Sequence, residues 1–235
     1  MGYLAACAGG MMRVMMTVLV FANGDLPETA WVRPLLAQAE AVIAADGGLA
    51  HVLALGRWPD VVIGDMDSLP AGVGLAQIPA GTRLVTYPQA KDETDLELAL
   101  LYAAEHYQGE ILLLAALGGR LDQMLANVLL LAHPGLAARP VTLVTAFQRA
   151  WLVSKQTTIR GAVGDRVSLI PLGGGTPDGG AQIAATTGLR WPLVNDNLAF
   201  GPARGISNEM TADEATVRLR SGRVLCVHTS GGWDR

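Results

Sequence analysis

Five aspartates mark where this chain could do chemistry. Asp46 opens Asp46-Gly47-Gly48 directly after the apolar run Ala41–Ala45, and Asp65 and Asp67 stand two residues apart in Gly64-Asp65-Met66-Asp67-Ser68, just after Val61-Val62-Ile63. Asp95 follows in Lys91-Asp92-Glu93-Thr94-Asp95, and Asp122 in Gly118-Gly119-Arg120-Leu121-Asp122-Gln123. Carboxylates gathered at strand ends repel one another unless a proton or a divalent cation sits among them, and oxygen donors suit a hard metal. An extended backbone would direct Asp65 and Asp67 to one side, where they could grip one cation or bridge two. A polar turn capping the next helix is the plain alternative. The nearby Asp46-Gly47-Gly48 favours a site, because glycines at a strand end let a backbone approach a ligand closely.

The surrounding residues add positive potential. Thr94-Asp95-Leu96-Glu97 has the spacing of a capping box, with Thr94 as N-cap and Glu97 reaching back. A helix starting there would place its amide-rich end near Lys91 and Asp95, where phosphate oxygens are stabilised, although helix initiation alone explains the motif equally. Arg120 follows a flexible Gly118-Gly119 turn; its guanidinium suits bidentate phosphate contact, or it pairs with Asp122. No Walker A pattern occurs. His51, His106, His133 and His228 are dispersed without metal-ligand spacing, and no Ser-His or Cys-His nucleophile arrangement is present, which leaves direct displacement at phosphorus assisted by metal.

Stepping along the chain, the elements that must position these groups alternate. Apolar strand-like runs at Thr17–Ala22, Ala41–Ala45, Asp60–Ile63, Thr82–Thr86, Ile111–Ala115 and Val141–Val144 are separated by helical segments near Glu28–Ala39, up to Leu55, Asp95–Tyr107 and Leu121–Ala132. Such alternation predicts an α/β domain with a parallel sheet covered on both faces, and ligands in such sheets lie beyond the carboxyl ends of the strands. After Phe147 the grammar changes to short alternating runs broken by Gly, Pro and Asn. That predicts a smaller antiparallel β-sandwich over residues 148–235 after an α/β domain over 1–147. Ala215–Arg220 and Arg223–His228, joined by Ser221-Gly222, read as a hairpin with a two-residue turn. Gly173–Gly180 reads as a loop between strands.

Composition bounds the function. The 235 residues are 51% hydrophobic but only 5% aromatic, so the core is expected to be aliphatic, as in a covered sheet. The net charge of -4 includes no Lys/Arg run able to track a phosphodiester backbone, which argues against nucleic acid. No stretch suits a bilayer span. Cys7 and Cys226 are too few for a disulfide framework and are expected to be inert, which fits a reducing compartment and the cytoplasm. Leu4-Ala5-Ala6-Cys7 mimics a lipoprotein processing site without the basic and apolar regions such a signal needs. The cluster Met11, Met12, Met15 and Met16 suggests an internal translation start, with residues 1–16 a disordered extension.

Taken together, these motifs resemble the thiamine pyrophosphokinases, also called thiamine diphosphokinases. The likeness rests on Asp46-Gly47-Gly48, Gly64-Asp65-Met66-Asp67-Ser68, Lys91-Asp92-Glu93-Thr94-Asp95-Leu96 and Gly118-Gly119-Arg120-Leu121-Asp122-Gln123. In the second half it continues through Thr186-Thr187-Gly188-Leu189-Arg190-Trp191 and Gly205-Ile206-Ser207-Asn208-Glu209, in family order from about Val18 to Val227. The resemblance implies transfer of pyrophosphate from ATP to the hydroxyethyl oxygen of thiamine, giving thiamine diphosphate and AMP. It implies Mg²⁺ and the triphosphate held by Asp46, Asp65, Asp67, Asp95 and Asp122, with Gly47, Gly48, Lys91, Thr94 and Arg120 at the nucleotide. Asp65, Asp67, Asp95 and Asp122 become the catalytic candidates, and Asp95 or Asp67 the acceptor of the hydroxyl proton. Ser207 and Asn208 match the segment that contacts the thiamine pyrimidine, in a homodimer with thiamine bound between subunits; Trp191 is a candidate for packing near thiamine, for the core or for the dimer interface. Gln123 stands where many bacterial relatives carry His, and the N-terminal extension has no family counterpart. Two other readings stay open: a diphosphokinase acting on another primary alcohol such as a hydroxymethylpterin, and a non-catalytic nucleotide- or thiamine-binding regulator.

Overall fold

The computed structural model describes residues 16–67 and 72–231, so Cys7, Ser68 and residues 1–15 of the expected extension lie outside the described residues. Met16, assigned to that extension by sequence, accepts a hydrogen bond on its carbonyl from the Glu110 N–H at 2.9 Å. In chain order the first half holds β1 (Thr17–Phe21), α1 (Arg33–Gln38), β2 (Ala39–Ala45), α2 (Leu49–Ala54), β3 (Val61–Gly64), β4 (Arg83–Thr86), α3 (Asp95–His106), β5 (Glu110–Leu114), α4 (Leu121–Leu129) and β6 (Val141–Val144). The second half is all strand: β7 (Gln148–Val153), β8 (Gln156–Arg160), β9 (Arg166–Pro171), β10 (Ala181–Thr187), β11 (Val194–Leu198), β12 (Asn208–Glu209), β13 (Glu214–Ser221) and β14 (Val224–Thr229).

The continuous apolar runs of the first half become parallel strands because both of their faces are covered. In β1, Val18 and Val20 enter one core with Leu96, Ala99, Leu100 and Ala103 of α3, while Leu19 and Phe21 enter another with Leu49 and Val52 of α2. All of these side chains are buried, and each large one contributes about 1.5–3 kcal/mol of apolar burial. The strands β6, β5, β1, β2, β3 and β4 lie side by side in that order and run parallel. Their carboxyl ends, and so Asp46 and Asp65, fall along one edge. The first helix is shorter than its sequence suggests: a 3-10 turn at Ala30–Val32 precedes α1, whose Pro34 is tolerated in the first turn, and Ala39 already pairs with Thr17 as strand.

The sheet does not end where the sequence grammar changes. At Thr145–Phe147 the chain reverses, and β7, β14, β9 and β12 extend the same sheet antiparallel, giving ten strands in all. A separate four-stranded antiparallel sheet, β11-β10-β13-β8, packs on this extension to make the β-sandwich. Its core joins Ile159, Ile183, Val217 and Leu219 of the small sheet to Val153, Val167, Leu169 and Cys226 of the large one. The expected hairpin is corrected here. β13 pairs with β10 and β8, whereas β14 pairs with β7 and β9, so Ser221-Gly222 carries the chain from one sheet to the other. Both runs have one apolar face, and a sandwich buries those faces against each other more completely than a two-stranded ribbon can. Gly173–Gly180 is a loop between β9 and β10, as its composition suggests.

Candidate active site

An open cleft of about 590 Å³ lies beyond the carboxyl ends of β1, β2, β3 and β5. Asp46 reaches it from the end of β2 in a left-handed conformation, φ 44°. The glycines after Asp46 pack closely against the end of β1. A Cβ on Gly48 would stand 2.2 Å from the Phe21 carbonyl oxygen, and one on Gly47 2.4 Å from the Asn23 amide. Both glycines are buried; they let the strand end lie flush against β1, and that contact aims Asp46 outward.

Asp65 and Asp67 are brought together by a turn, not by extended backbone. Met66 has φ 65°, and the Asp67 N–H donates to Asp65 Oδ1 at 3.1 Å. Asp46, Asp65 and Asp67 each offer an oxygen, and the three lie within 4.8 Å of one another. Opposite oxygen ligands of one hard cation bound at about 2.0–2.6 Å stand roughly 4–5 Å apart, so three donor oxygens this close to one another suit a magnesium-type ion. Gln89 Nε2 donates to Asp67 Oδ2 at 2.9 Å, which holds that carboxylate from the loop after β4.

Asp95 sits beside this trio. A Cβ built on Gly64 would lie 3.3 Å from its carboxyl carbon, and its Oδ1 accepts from Lys91 Nζ at 2.5 Å. Thr94 caps α3 by accepting from the Glu97 N–H at 3.2 Å, but the Glu97 carboxylate faces His133 at 3.3 Å instead of closing the capping box. Lys91, Thr94, Asp95, Gly118, Gly119 and Arg120 all line the cleft. Asp122 does not line it: it is exposed, and Arg120 grips it through two hydrogen bonds of 3.1 and 2.5 Å. The hydrogen bond from Arg120 holds the Asp122 carboxyl below the usual carboxylate range.

Ser207 and Asn208 lie in the sandwich and are not among the residues lining the cleft. Ser207, at φ 58°, donates its N–H to Ser168 Oγ at 3.0 Å. Asn208 Oδ1 accepts from the Trp191 N–H at 3.1 Å while Nδ2 donates to the Trp191 carbonyl at 2.7 Å, which presents an indole that is 55% exposed. The histidines have other partners: His51 contacts the Gly24 carbonyl, His106 stacks on Tyr102, and His228 faces Asp165. Cys226 is buried, and burial pushes its thiol up to about 12, in keeping with an inert side chain.

Two family descriptions match the chain and together span most of it: thiamin pyrophosphokinase, catalytic domain, over residues 32–143, and thiamin pyrophosphokinase, vitamin B1 binding domain, over residues 156–224. The chain belongs to the thiamine pyrophosphokinase family. It is 30% identical to thiamine pyrophosphokinase 1 of Oryza sativa subsp. japonica over 69% of this chain and 62% of that protein. It thus spans about 62% of the length of the plant relatives it matches. Against thiamine pyrophosphokinase of Bacillus subtilis it is 26% identical over 80% of this chain and 86% of that protein. The crystal structure of thiamin pyrophosphokinase from Geobacillus thermodenitrificans superposes with a TM-score of 0.75 at 27% identity, covering 93% of this chain and 99% of that one.

Within the family's catalytic half, four polar side chains of the cleft escaped sequence reasoning as candidates: Asn23, Gln89, Glu93 and Asn127. Asn23-Gly24 reads as a turn after β1, and that position at a strand's carboxyl end is the signal that could have placed Asn23. Asn127, a polar residue inside the helical run Leu121–Ala132, is a second such signal. Gln89 carries no sequence signal at all.

Proposed function

We propose that this protein transfers the pyrophosphoryl group of ATP to the hydroxyethyl oxygen of thiamine, releasing thiamine diphosphate and AMP. The observation that carries the reading is the convergence of Asp46, Asp65 and Asp67 within 4.8 Å at the carboxyl edge of the sheet, in a chain whose two halves match the two family domains. In this reading residues 1–147 form the nucleotide-binding catalytic domain and 148–235 the thiamine-binding domain. Asp46, Asp65 and Asp67 would hold Mg²⁺, with Asp95 and Asp122 completing the acidic set. The ion's contribution when bound is to neutralise the polyphosphate and the charge that develops on the leaving oxygen.

The chain's own groups do the rest. Lys91 and Arg120 orient the phosphates, Arg120 after exchanging Asp122 for a phosphate oxygen of matching bidentate geometry. Thr94 shapes the nucleotide side of the cleft, and Gly47 and Gly48, buried behind its wall, seat Asp46 for the nucleotide at the end of β2. The thiamine oxygen forms a bond to the β-phosphorus as the bond from that phosphorus to the oxygen bridging the α-phosphorus breaks. Asp67 or Asp95 would accept the hydroxyl proton.

The thiamine side is proposed to come from a second copy of the chain. Ser207 and Asn208 do not line the cleft of their own chain. Two apolar surfaces are exposed: Leu121, Leu125 and Leu129 along α4 at 68%, 56% and 56%, and Trp191, Val194, Phe200 and Ile206 on the sandwich. The α4 leucines recur every four residues, one exposed stripe of a helix that begins at the cleft. A homodimer that covers them with the sandwich of the partner brings the Ser207-Asn208 segment to the acidic site. Leu125→Glu should then convert a dimer to a monomer by light scattering and remove most turnover; a wild-type monomer with full activity would overturn the arrangement. No helix among the described residues is long and apolar enough to cross a membrane; placement in the cytoplasm is proposed from the low cysteine content.

The direct test is incubation with thiamine, ATP and Mg²⁺, with product masses compared to an EDTA control. Thiamine diphosphate together with AMP is the expected outcome. ADP with thiamine monophosphate would overturn the mechanism. Turnover of a hydroxymethylpterin but not thiamine would move the substrate, and magnesium-dependent binding without turnover would make the protein a regulator.

A further inference from the structure

The turn between β5 and α4 is held in a shape its residues would not adopt alone. Ala115 has φ 53°, and Gly118 and Gly119 have φ 95° and 72°, so three of its six residues lie in the left-handed region. A non-glycine residue there carries a conformational cost and persists only where the surroundings impose it. Gly118 also has no room for a side chain, since a Cβ would stand 2.1 Å from Asp25 Oδ2.

Two sets of hydrogen bonds impose the shape. From the β1 side, the N–H groups of Gly24 and Asp25 donate to the carbonyls of Ala115 and Leu117 at 2.7 and 2.6 Å. From the α4 side, Asn127 Nδ2 donates to the Ala116 carbonyl, between those two, at 2.9 Å. Asn127 is the one buried residue of α4, 9% exposed, in a helix whose leucines face outward. Burying an amide in place of an aliphatic side chain costs free energy unless its hydrogen bonds are made, so the position is specific for a donor at that carbonyl. The turn it fixes supplies Gly118, Gly119 and Arg120 to the cleft wall.

We infer that Asn127 is a positioning residue for the nucleotide, acting by pinning the Ala116 carbonyl so that the Gly118-Gly119-Arg120 turn keeps its left-handed course along the cleft. The inference rests on the reading of the cleft as the ATP site. Asn127→Ala removes the donor; Asn127→Asp keeps the shape and volume but sets an acceptor against the carbonyl. Two measurements on the full chain test it: hydrogen exchange of the Gly24 and Asp25 amides, which donate into the turn, and calorimetric binding of α,β-methylene-ATP with Mg²⁺.

Both variants should exchange at least tenfold faster at those amides, with the amides of β2 and β3 unchanged, and should bind the analogue at least tenfold more weakly. Unchanged exchange at those amides, equal acceleration across the whole sheet, or wild-type affinity in the variants would each overturn the role. Should Asn127→Ala fail to fold, Asn127→Asp carries the same two readouts. A wild-type protein that does not bind the analogue would sink the ATP reading instead, and the exchange measurement would still decide whether Asn127 fixes the turn.

Discussion

Asp67→Asn is expected to lower turnover by about 10³-fold, on the order of 4 kcal/mol of transition-state stabilisation. The substitution preserves shape and removes one of the three charges that meet within 4.8 Å. Asp67 is exposed and ends a turn after β3, away from both buried cores of the α/β half. The fold should therefore stand: the urea midpoint is expected to move little while turnover collapses. A titration with Mn²⁺ followed by electron paramagnetic resonance should show binding weakened at least tenfold, a loss seen without any turnover assay. Near-normal turnover would remove Asp67 from the mechanism, and unchanged Mn²⁺ affinity would remove it from the metal site.

The second large effect lies in the sandwich and concerns stability. Asp165 is 3% exposed and ties three segments together. Its Oδ2 accepts from the Ala162 N–H at 2.9 Å and faces His228 Nε2 at 2.8 Å, while Oδ1 accepts from the Gly231 N–H at 2.7 Å. Burial works to raise this carboxyl, but the Ala162 and Gly231 amides and the His228 ring outweigh it and hold the group below the usual aspartate range. A folded value below the unfolded one means stability that is fully present above the ordinary aspartate range and is lost as pH falls through that range toward the folded value. Asp165→Ala strands the His228 ring and two amides together, so a loss of about 3 kcal/mol is expected at neutral pH. Urea unfolding at pH 7 and pH 3 checks both points: the advantage of the wild type over the variant should shrink at the lower pH. Equal stability at pH 7 would mean that the segments hold without Asp165.

Much of this architecture was legible in the residues. The runs at Thr17–Phe21, Ala41–Ala45 and Val61–Ile63 are apolar without alternation, and only a strand covered on both faces tolerates that, so the parallel sheet and its carboxyl-edge site followed from composition alone. The Thr94 cap was legible because it depends on neighbours along the chain. The Ser221-Gly222 connection was not. A two-residue turn between alternating runs is compatible with a hairpin or with a step between sheets, and only the partners β10, β8, β7 and β9 decide which.

The same division runs through the site. Sequence by itself determined which groups are available and on which edge they emerge: Asp46, Asp65 and Asp67 follow strand ends, and a strand's direction fixes where its last residue points. Tertiary structure alone decided which groups meet. The left-handed turn at Met66, not an extended backbone, converges Asp65 and Asp67, and Gly48 is small because the Phe21 carbonyl lies against it. Arg120 rests on Asp122, and Asn127 reaches the Ala116 carbonyl eleven residues back along the chain. Hydrogen bonds and steric contacts between segments distant in sequence act over a few ångströms in space, and periodicity along a chain carries no record of them.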